Sequence, residues 1–247
     1  MAEVLFYGAA EEVTGSMHMI RVDDQWVALD CGMYQGKRSE SEAKNREWAV
    51  PPKEIAAVVL SHAHIDHSGR LPRLVKDGFD GPIYCTPATR DLCAIMLPDS
   101  AHIQEEDVYY VNKRRRRKHL DPIEPLYEYD DALAAVKMIQ SISYGRLFPV
   151  VPGLLAGFRE AGHQLGSAGV RLEFAKRNGR TPSLFYSGDV GRPNKPILRD
   201  PATFPASETI LCESTYGGRV NEHVWDSKDK LIEVVARTIA DFLRDRP

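Results

Sequence analysis

The residues best suited to chemistry stand in one run, Ser61-His62-Ala63-His64-Ile65-Asp66-His67, directly after the apolar stretch Ile55 to Leu60. Side chains of an extended segment alternate between faces, so His62 and His64 point the same way. Entry into the helical stretch Arg70 to Lys76 brings residues 64 and 67 onto a neighbouring face. Three imidazoles and a carboxylate thus converge on one small volume. Neutral imidazole and carboxylate are ligand types that suit Zn²⁺ at about 2.0–2.2 Å, and a pair of cations needs more donors than this run alone supplies.

Two later segments provide them. His163 lies in Ala161-Gly162-His163-Gln164-Leu165-Gly166-Ser167, where the glycines suit a tight loop after a strand, and Asp189 lies in Tyr186-Ser187-Gly188-Asp189-Val190-Gly191 after the apolar stretch Leu184 to Tyr186. Taken singly, His163 reads as an ordinary core or surface residue and Asp189 as a turn former. Beside the cluster at 62 to 67 both become candidate metal ligands.

The elements that must position these residues are legible as alternating and apolar segments. Val4 to Tyr7, Met17 to Val22, Trp26 to Leu29, Ile55 to Leu60 and Ile83 to Thr86 read as strands, with Asp23-Asp24 as a hairpin turn that makes the opening an antiparallel meander. Helices are expected from Pro87 or Ala88 to Leu97, from Asp99 to Lys118 and from Asp130 to about Ser141, and a final amphipathic helix from about Asp226 to Leu243. Between them strands are expected at Leu154 to Arg159, Val170 to Phe174, Leu184 to Tyr186 and Thr209 to Cys212. This order predicts layered α/β packing and excludes a helical bundle or an all-β sandwich.

Composition narrows the class further. With 247 residues, 43% hydrophobic, the chain can bury one large core with a small appendage. It opens without a basic and apolar leader and its longest clean apolar run is Ile55 to Leu60, which predicts a cytoplasmic protein with no membrane span. Cys31, Cys85, Cys93 and Cys212 lack CxxC spacing and read as reduced thiols. A net charge of -3 means that a nucleic-acid partner would be held by a metal site or a local basic patch. The one strong charge block is Lys113 to Lys118, which reads first as a solvated helix end and alternatively as an RNA contact.

Taken in order, Leu29-Asp30-Cys31-Gly32, the HAHIDH run, Gly162-His163 and Ser187-Gly188-Asp189 resemble the metallo-β-lactamase superfamily over roughly residues 3 to 215. The resemblance implies an αββα sandwich holding two divalent metal ions, Zn²⁺ by preference. His62, His64 and His163 would hold one ion, Asp66 and His67 the other, and Asp189 would bridge them, while Asp30 would brace the loop without ligating. Glu213, in Cys212-Glu213-Ser214-Thr215-Tyr216-Gly217, resembles the first motif of the β-CASP insertion. The opening Gly8 to Ser16 also resembles that branch, in particular bacterial relatives of the cleavage and polyadenylation endonuclease subunit.

That branch implies hydrolysis of RNA phosphodiester bonds by a metal-bound hydroxide, with Asp66, Asp189 and Glu213 as the catalytic carboxylates. Zinc lowers the pKa of bound water from about 15.7 to about 7. Glu213 would orient a histidine that protonates the leaving oxygen. The expected partner is single-stranded RNA, no membrane is expected, and a homo-oligomer is compatible with the sequence. The expected organisation is a core over 1–206, incomplete at its C-terminus, and the beginning of a β-CASP domain over 207–247. The family continues beyond residue 247, so weak or no activity is expected of this chain by itself. His18, His102, His119 and His223 match no family motif, although His223 follows the Glu213 loop closely enough to approach the site. Another hydrolase of the superfamily, acting on an ester, thioester or small phosphodiester, is the alternative that Glu213 and its flanks argue against. A scaffold subunit with a degenerate site is argued against by the intact ligand set.

Overall fold

The computed structural model describes residues 2–219 and 224–244, which divide into a first compact unit ending at Glu213 and a second starting at Ser214. The first unit is built on two sheets. One runs β1 (Ala2–Phe6), β2 (His18–Val22), β3 (Gln25–Leu29), β4 (Ile55–Val59), β5 (Ile83–Cys85) and β6 (Ile139–Ser141) in spatial as well as chain order. Its first three strands pair antiparallel, the rest parallel. The second sheet has the order β11 (Thr209–Leu211), β10 (Ser183–Tyr186), β9 (Ala168–Phe174), β8 (Leu154–Glu160) and β7 (Leu147–Val151), antiparallel apart from the β10–β11 pair.

Strand periodicity divides the first sheet between two cores. Met19, Ala28, Ile55 and Val58 face a helical layer made by α3 (Leu71–Lys76), α4 (Pro87–Arg117) and α5 (Tyr129–Lys137), meeting Leu74, Leu97 and Ala132. Ile20, Val27, Leu29, Ala57 and Val59 point the other way, into a dry layer shared with Phe148, Phe158, Val170, Leu172 and Leu184 of the second sheet. β4 is apolar at every position because it is covered on both sides, which is the expected signature of a parallel strand inside a layered fold.

Two sequence expectations are corrected. The two helices expected on either side of Pro98 are one 31-residue helix, α4. Pro98 removes one backbone donor, but it is buried in the helical layer and packing outweighs that loss. The helix expected to reach Ser141 ends at Lys137, because Ile139 to Ser141 pairs parallel with β5 and extends the sheet. Two elements carried no clear pattern, α1 (Arg38–Arg46), which is polar nearly throughout, and β7, which contains Pro149. In the second unit the described helix is α6 (Val224–Arg244). The four cysteines are free thiols, three of them buried.

Candidate metal centre

The candidate ligands lie on loops at the ends of the strands, locked together by backbone hydrogen bonds. β3 is followed by Asp30, whose φ of +61° turns the chain sharply so that Cys31 N donates to His67 O at 2.8 Å and Met33 N to Ile65 O at 2.9 Å. Gly32 packs against the same loop so closely that a Cβ there would lie 1.6 Å from the Asp66 carbonyl oxygen. Ala168 N donates to Ser61 O at 2.9 Å and ties the second sheet to the start of the histidine run. The one-turn helix α2 (Ile65–Ser68) then carries Asp66 and His67.

Asp30 is fully buried, and four donors surround its carboxylate. Ser61 N reaches Oδ1 at 2.6 Å, while Ser61 Oγ, His67 Nδ1 and Tyr186 OH all reach Oδ2 at 2.7 Å. This network fixes two tautomers. A hydroxyl has one hydrogen, and Ser61 Oγ spends it on Asp30, so its contact with His62 Nδ1 at 2.9 Å is an acceptance and His62 Nε2 is left bare toward the centre. His67 donates its Nδ1–H to Asp30 and turns Nε2 toward Asp189.

Four groups meet on one side. His62, His64, His163 and Asp189 bring one ligand atom each to within 4.8 Å of one another. His62 Nε2 and His163 Nε2 each lie 3.1 Å from His64 Nδ1, and Asp189 Oδ2 lies 3.8 Å from His62 Nε2 and 3.5 Å from His163 Nε2. Ligands held tetrahedrally at ~2.0–2.1 Å stand about 3.3–3.4 Å apart, so the four-group spacing fits a zinc-sized cation. The lone pairs that converge there are satisfied either by a proton shared from His64 Nδ1 or by a cation among the four groups. On the other side of Asp189, Oδ1 lies 3.2 Å from His67 Nε2, which is 4.0 Å from Asp66 Oδ2. Sequence reasoning named these six residues, and the structure brings them together around one carboxylate.

Protonation matches this use. Burial, reinforced by the other imidazoles, holds His62 well below the usual histidine range; burial also lowers His64 and His163, against the pull of nearby carboxylates. Asp189 is lowered because the histidines around it outweigh its burial. Three neutral imidazoles and one carboxylate therefore form the first group, a set that accepts a divalent cation without first losing a proton. His67 differs: burial opposes its charge, yet Asp189 and Asp30 raise it to about 10.

Glu213 lies close enough for its charge to act on His163, and its hydrogen bonds go to the loop that carries Asp189. Its Oε1 accepts Val190 N at 2.8 Å, and its own N–H donates to Ser187 Oγ at 3.0 Å, clamping the loop on both sides of Asp189. Sequence reasoning missed Ser61, Tyr186 and Gln164. With its amide oxygen turned inward, Gln164 accepts from Ala63 N at 2.9 Å and His64 N at 3.2 Å. Adjacency to His62 and His163 is the signal that could have found Ser61 and Gln164; Tyr186 reads only as an apolar strand residue. His18 is buried on β2, His102 and His119 are on or just beyond the exposed half of α4, and His223 lies outside the described residues.

A buried brace beneath three imidazoles and a shared carboxylate defines a class, the divalent-metal centres built at the edge of two packed sheets. The metallo-beta-lactamase superfamily model matches residues 10–135, which take in Asp30 and the 62–67 run, and the chain belongs to that superfamily. Ribonuclease TTHA0252 of Thermus thermophilus is 37% identical over 235 residues, 95% of this chain and 48% of that protein. Transcription termination factor FttA of Thermococcus kodakarensis is 31% identical over 246 residues, 94% of this chain and 35% of that protein, and its namesake from Methanothermobacter thermautotrophicus is 31% identical over 251 residues, 98% and 36%. The chain thus spans between about a third and a half of the length of these relatives. Among the described residues no helix is long and apolar enough to cross a membrane.

Proposed function

We propose that this chain carries the metal centre of a ribonuclease of the β-CASP branch, a hydrolase that cuts phosphodiester bonds of single-stranded RNA in the cytoplasm with two zinc ions. The observation that carries the reading is the position of Asp189, whose Oδ2 faces His62 and His163 while Oδ1 faces His67. One carboxylate that addresses two groups of donors is what a two-cation centre requires, and a two-cation clamp suits in-line displacement at phosphorus. The relatives named as a ribonuclease and as transcription termination factors favour RNA over a small ester.

In this reading His62, His64 and His163 would hold one cation, Asp66 and His67 the other, and Asp189 would contribute to both. Such a pair, when bound, supplies a water ionised near neutral pH and positive charge against the phosphate oxygens. The chain's own contribution is orientation. Asp30 and Ser61 fix the rings of His67 and His62, Gln164 holds the backbone that carries His64, and Glu213 holds the Asp189 loop. Glu213 is also assigned the orientation of a proton-donating histidine. The division into a core over 1–206 and the start of a β-CASP domain over 207–247 belongs to the same proposal.

The test is metal content together with cleavage of a labelled single-stranded RNA, for the chain carried in a protein of its relatives' full length and for the His64→Ala and Glu213→Ala variants of that protein. Loss of cleavage in both is expected. Cleavage that survives both substitutions overturns the assigned roles, and loss with His64→Ala alone assigns the site to a simpler hydrolase.

A further inference from the structure

Six consecutive basic residues at the end of α4 go round the helix, but four exposed ones share a face with two aromatic rings. At 100° per residue, Tyr109, Tyr110, Lys113, Arg114, Arg116 and Arg117 fall on one outward face, related by three-, four- and seven-residue steps. Both tyrosines are mostly exposed, at 64% and 61%, and their rings meet edge to face at 5.5 Å. A solvated helix end explains the basic residues, but it does not explain two exposed aromatic rings interleaved with them.

Lys118 follows the helix as its exposed cap, and Arg115 has a different task. Arg115 points inward and its Nε donates to the Asp121 carbonyl, while Asn112 clamps Ile123 through both its N–H and its C=O, at 2.9 Å each. The returning chain therefore stiffens the helix from behind and leaves the outer face free. Among the described residues none of Lys113, Arg114, Arg116 and Arg117 pairs with a carboxylate. The acids of the preceding turn are partly engaged elsewhere, Glu105 accepting Tyr129 N at 2.9 Å and Glu106 lying 3.7 Å from His102; Asp107 is exposed.

The same helix begins against the loop that carries His163. Thr86 Oγ1 and Thr89 Oγ1 both donate to the Gly166 carbonyl, at 2.7 and 2.9 Å, in the loop that carries His163. From there to Lys113 and Arg117 the helix axis runs about 36–46 Å. One rigid element thus connects the site to a cationic, aromatic surface far from it.

We infer that this face of α4 is an RNA-docking surface, with Lys113, Arg114, Arg116 and Arg117 on successive phosphates and Tyr109 and Tyr110 as stacking platforms for unpaired bases. The overall charge of -3 disfavours adsorption of a polyanion elsewhere, so the local patch decides where it binds. Choosing RNA over another polyanion rests on the proposed ribonuclease reading. The surface would anchor a strand at a distance from the cut, so long strands gain affinity and short ones do not.

The test is fluorescence anisotropy in the His64→Ala background, where the probe is not consumed, with single-stranded RNAs of about thirty and about six nucleotides. Replacing Lys113, Arg114, Arg116 and Arg117 by Gln is expected to weaken binding of the long RNA and to reduce its log–log salt slope by about 2–3. Tyr109→Ala with Tyr110→Ala removes two platforms and is expected to weaken it about 30-fold or more with little change in that slope. All variants lie on an exposed helix face and should keep the parent circular dichroism and thermal midpoint. An unchanged salt slope in the Gln variant, equal losses for both RNA lengths, or preferential binding of phosphatidylserine vesicles overturns the inference. Cleavage of the short RNA by the protein with His64 intact tests the ribonuclease reading separately.

Discussion

Asp30 Oδ2 accepts the Nδ1–H of His67 at 2.7 Å, and that single bond turns the opposite nitrogen of the ring toward Asp189 Oδ1. A residue that touches no cation thereby sets which atom of a ligand is presented. Asp30→Asn keeps the shape of the side chain but places an NH₂ group among donors from Ser61, His67 and Tyr186. Unfolding by denaturant should show a loss of about 2–4 kcal/mol, with reduced metal content, because buried donors are left without acceptors. A fully stable, fully loaded Asn variant would show that the network is incidental.

The loop after Asp189 is fitted to the His163 loop at backbone level. A Cβ on Gly191 would lie 1.7 Å from the Gly162 carbonyl oxygen and 2.6 Å from His163 N, whereas one on Gly218 meets nothing within 4 Å. Gly191→Ala should therefore destabilise the protein by about 2–4 kcal/mol and displace His163 from Asp189, while Gly218→Ala changes stability by less than about 0.5 kcal/mol. Equal midpoints for the two variants would contradict the close approach of these loops.

Protons and cations compete unequally for the two groups of ligands. His62, His64 and His163 are held below the usual range and need no deprotonation at neutral pH, but His67 is raised to about 10. Without metal, a folded-state value above the unfolded value of about 6.5 means that His67 stabilises the fold fully below about pH 6.5, and that this contribution fades as pH rises through about 10. Titration calorimetry with zinc at pH 7.5, in buffers of different ionisation enthalpy, should show a first step with little proton release and a second releasing about one proton. Two steps with identical proton release would refute this assignment.

Glu213 offers a separable test of orientation against charge. Glu213→Gln keeps an oxygen for Val190 N, whereas Glu213→Ala removes it and frees the Asp189 loop. Metal affinity should fall about 10- to 100-fold in the Ala variant and stay near the parent value in Gln. Equal affinity in all three proteins would show that the clamp on Val190 does not position Asp189.

The six candidate ligands were legible in the sequence because a metal centre needs particular side chains at backbone spacings that strand and loop geometry impose. Ser61, Gln164 and Tyr186 were not, since each acts through a hydrogen bond to a residue distant in the chain or in a neighbouring loop, and serine, glutamine and tyrosine are common everywhere. The strands of both sheets were largely readable from apolar periodicity. The continuous α4 was not, because Pro98 usually ends a helix and only tertiary packing shows that it does not do so here. β6 was absorbed into the preceding helix because three residues are too few to establish a period of two.

The most direct measurement is anomalous diffraction at the zinc edge from crystals grown with zinc. Two peaks are expected, one enclosed by His62, His64, His163 and Asp189 and the other between Asp189, His67 and Asp66, with the first lost in His64→Ala. Absence of any peak among these six residues, or a first peak that survives His64→Ala unchanged, would contradict the two-cation centre.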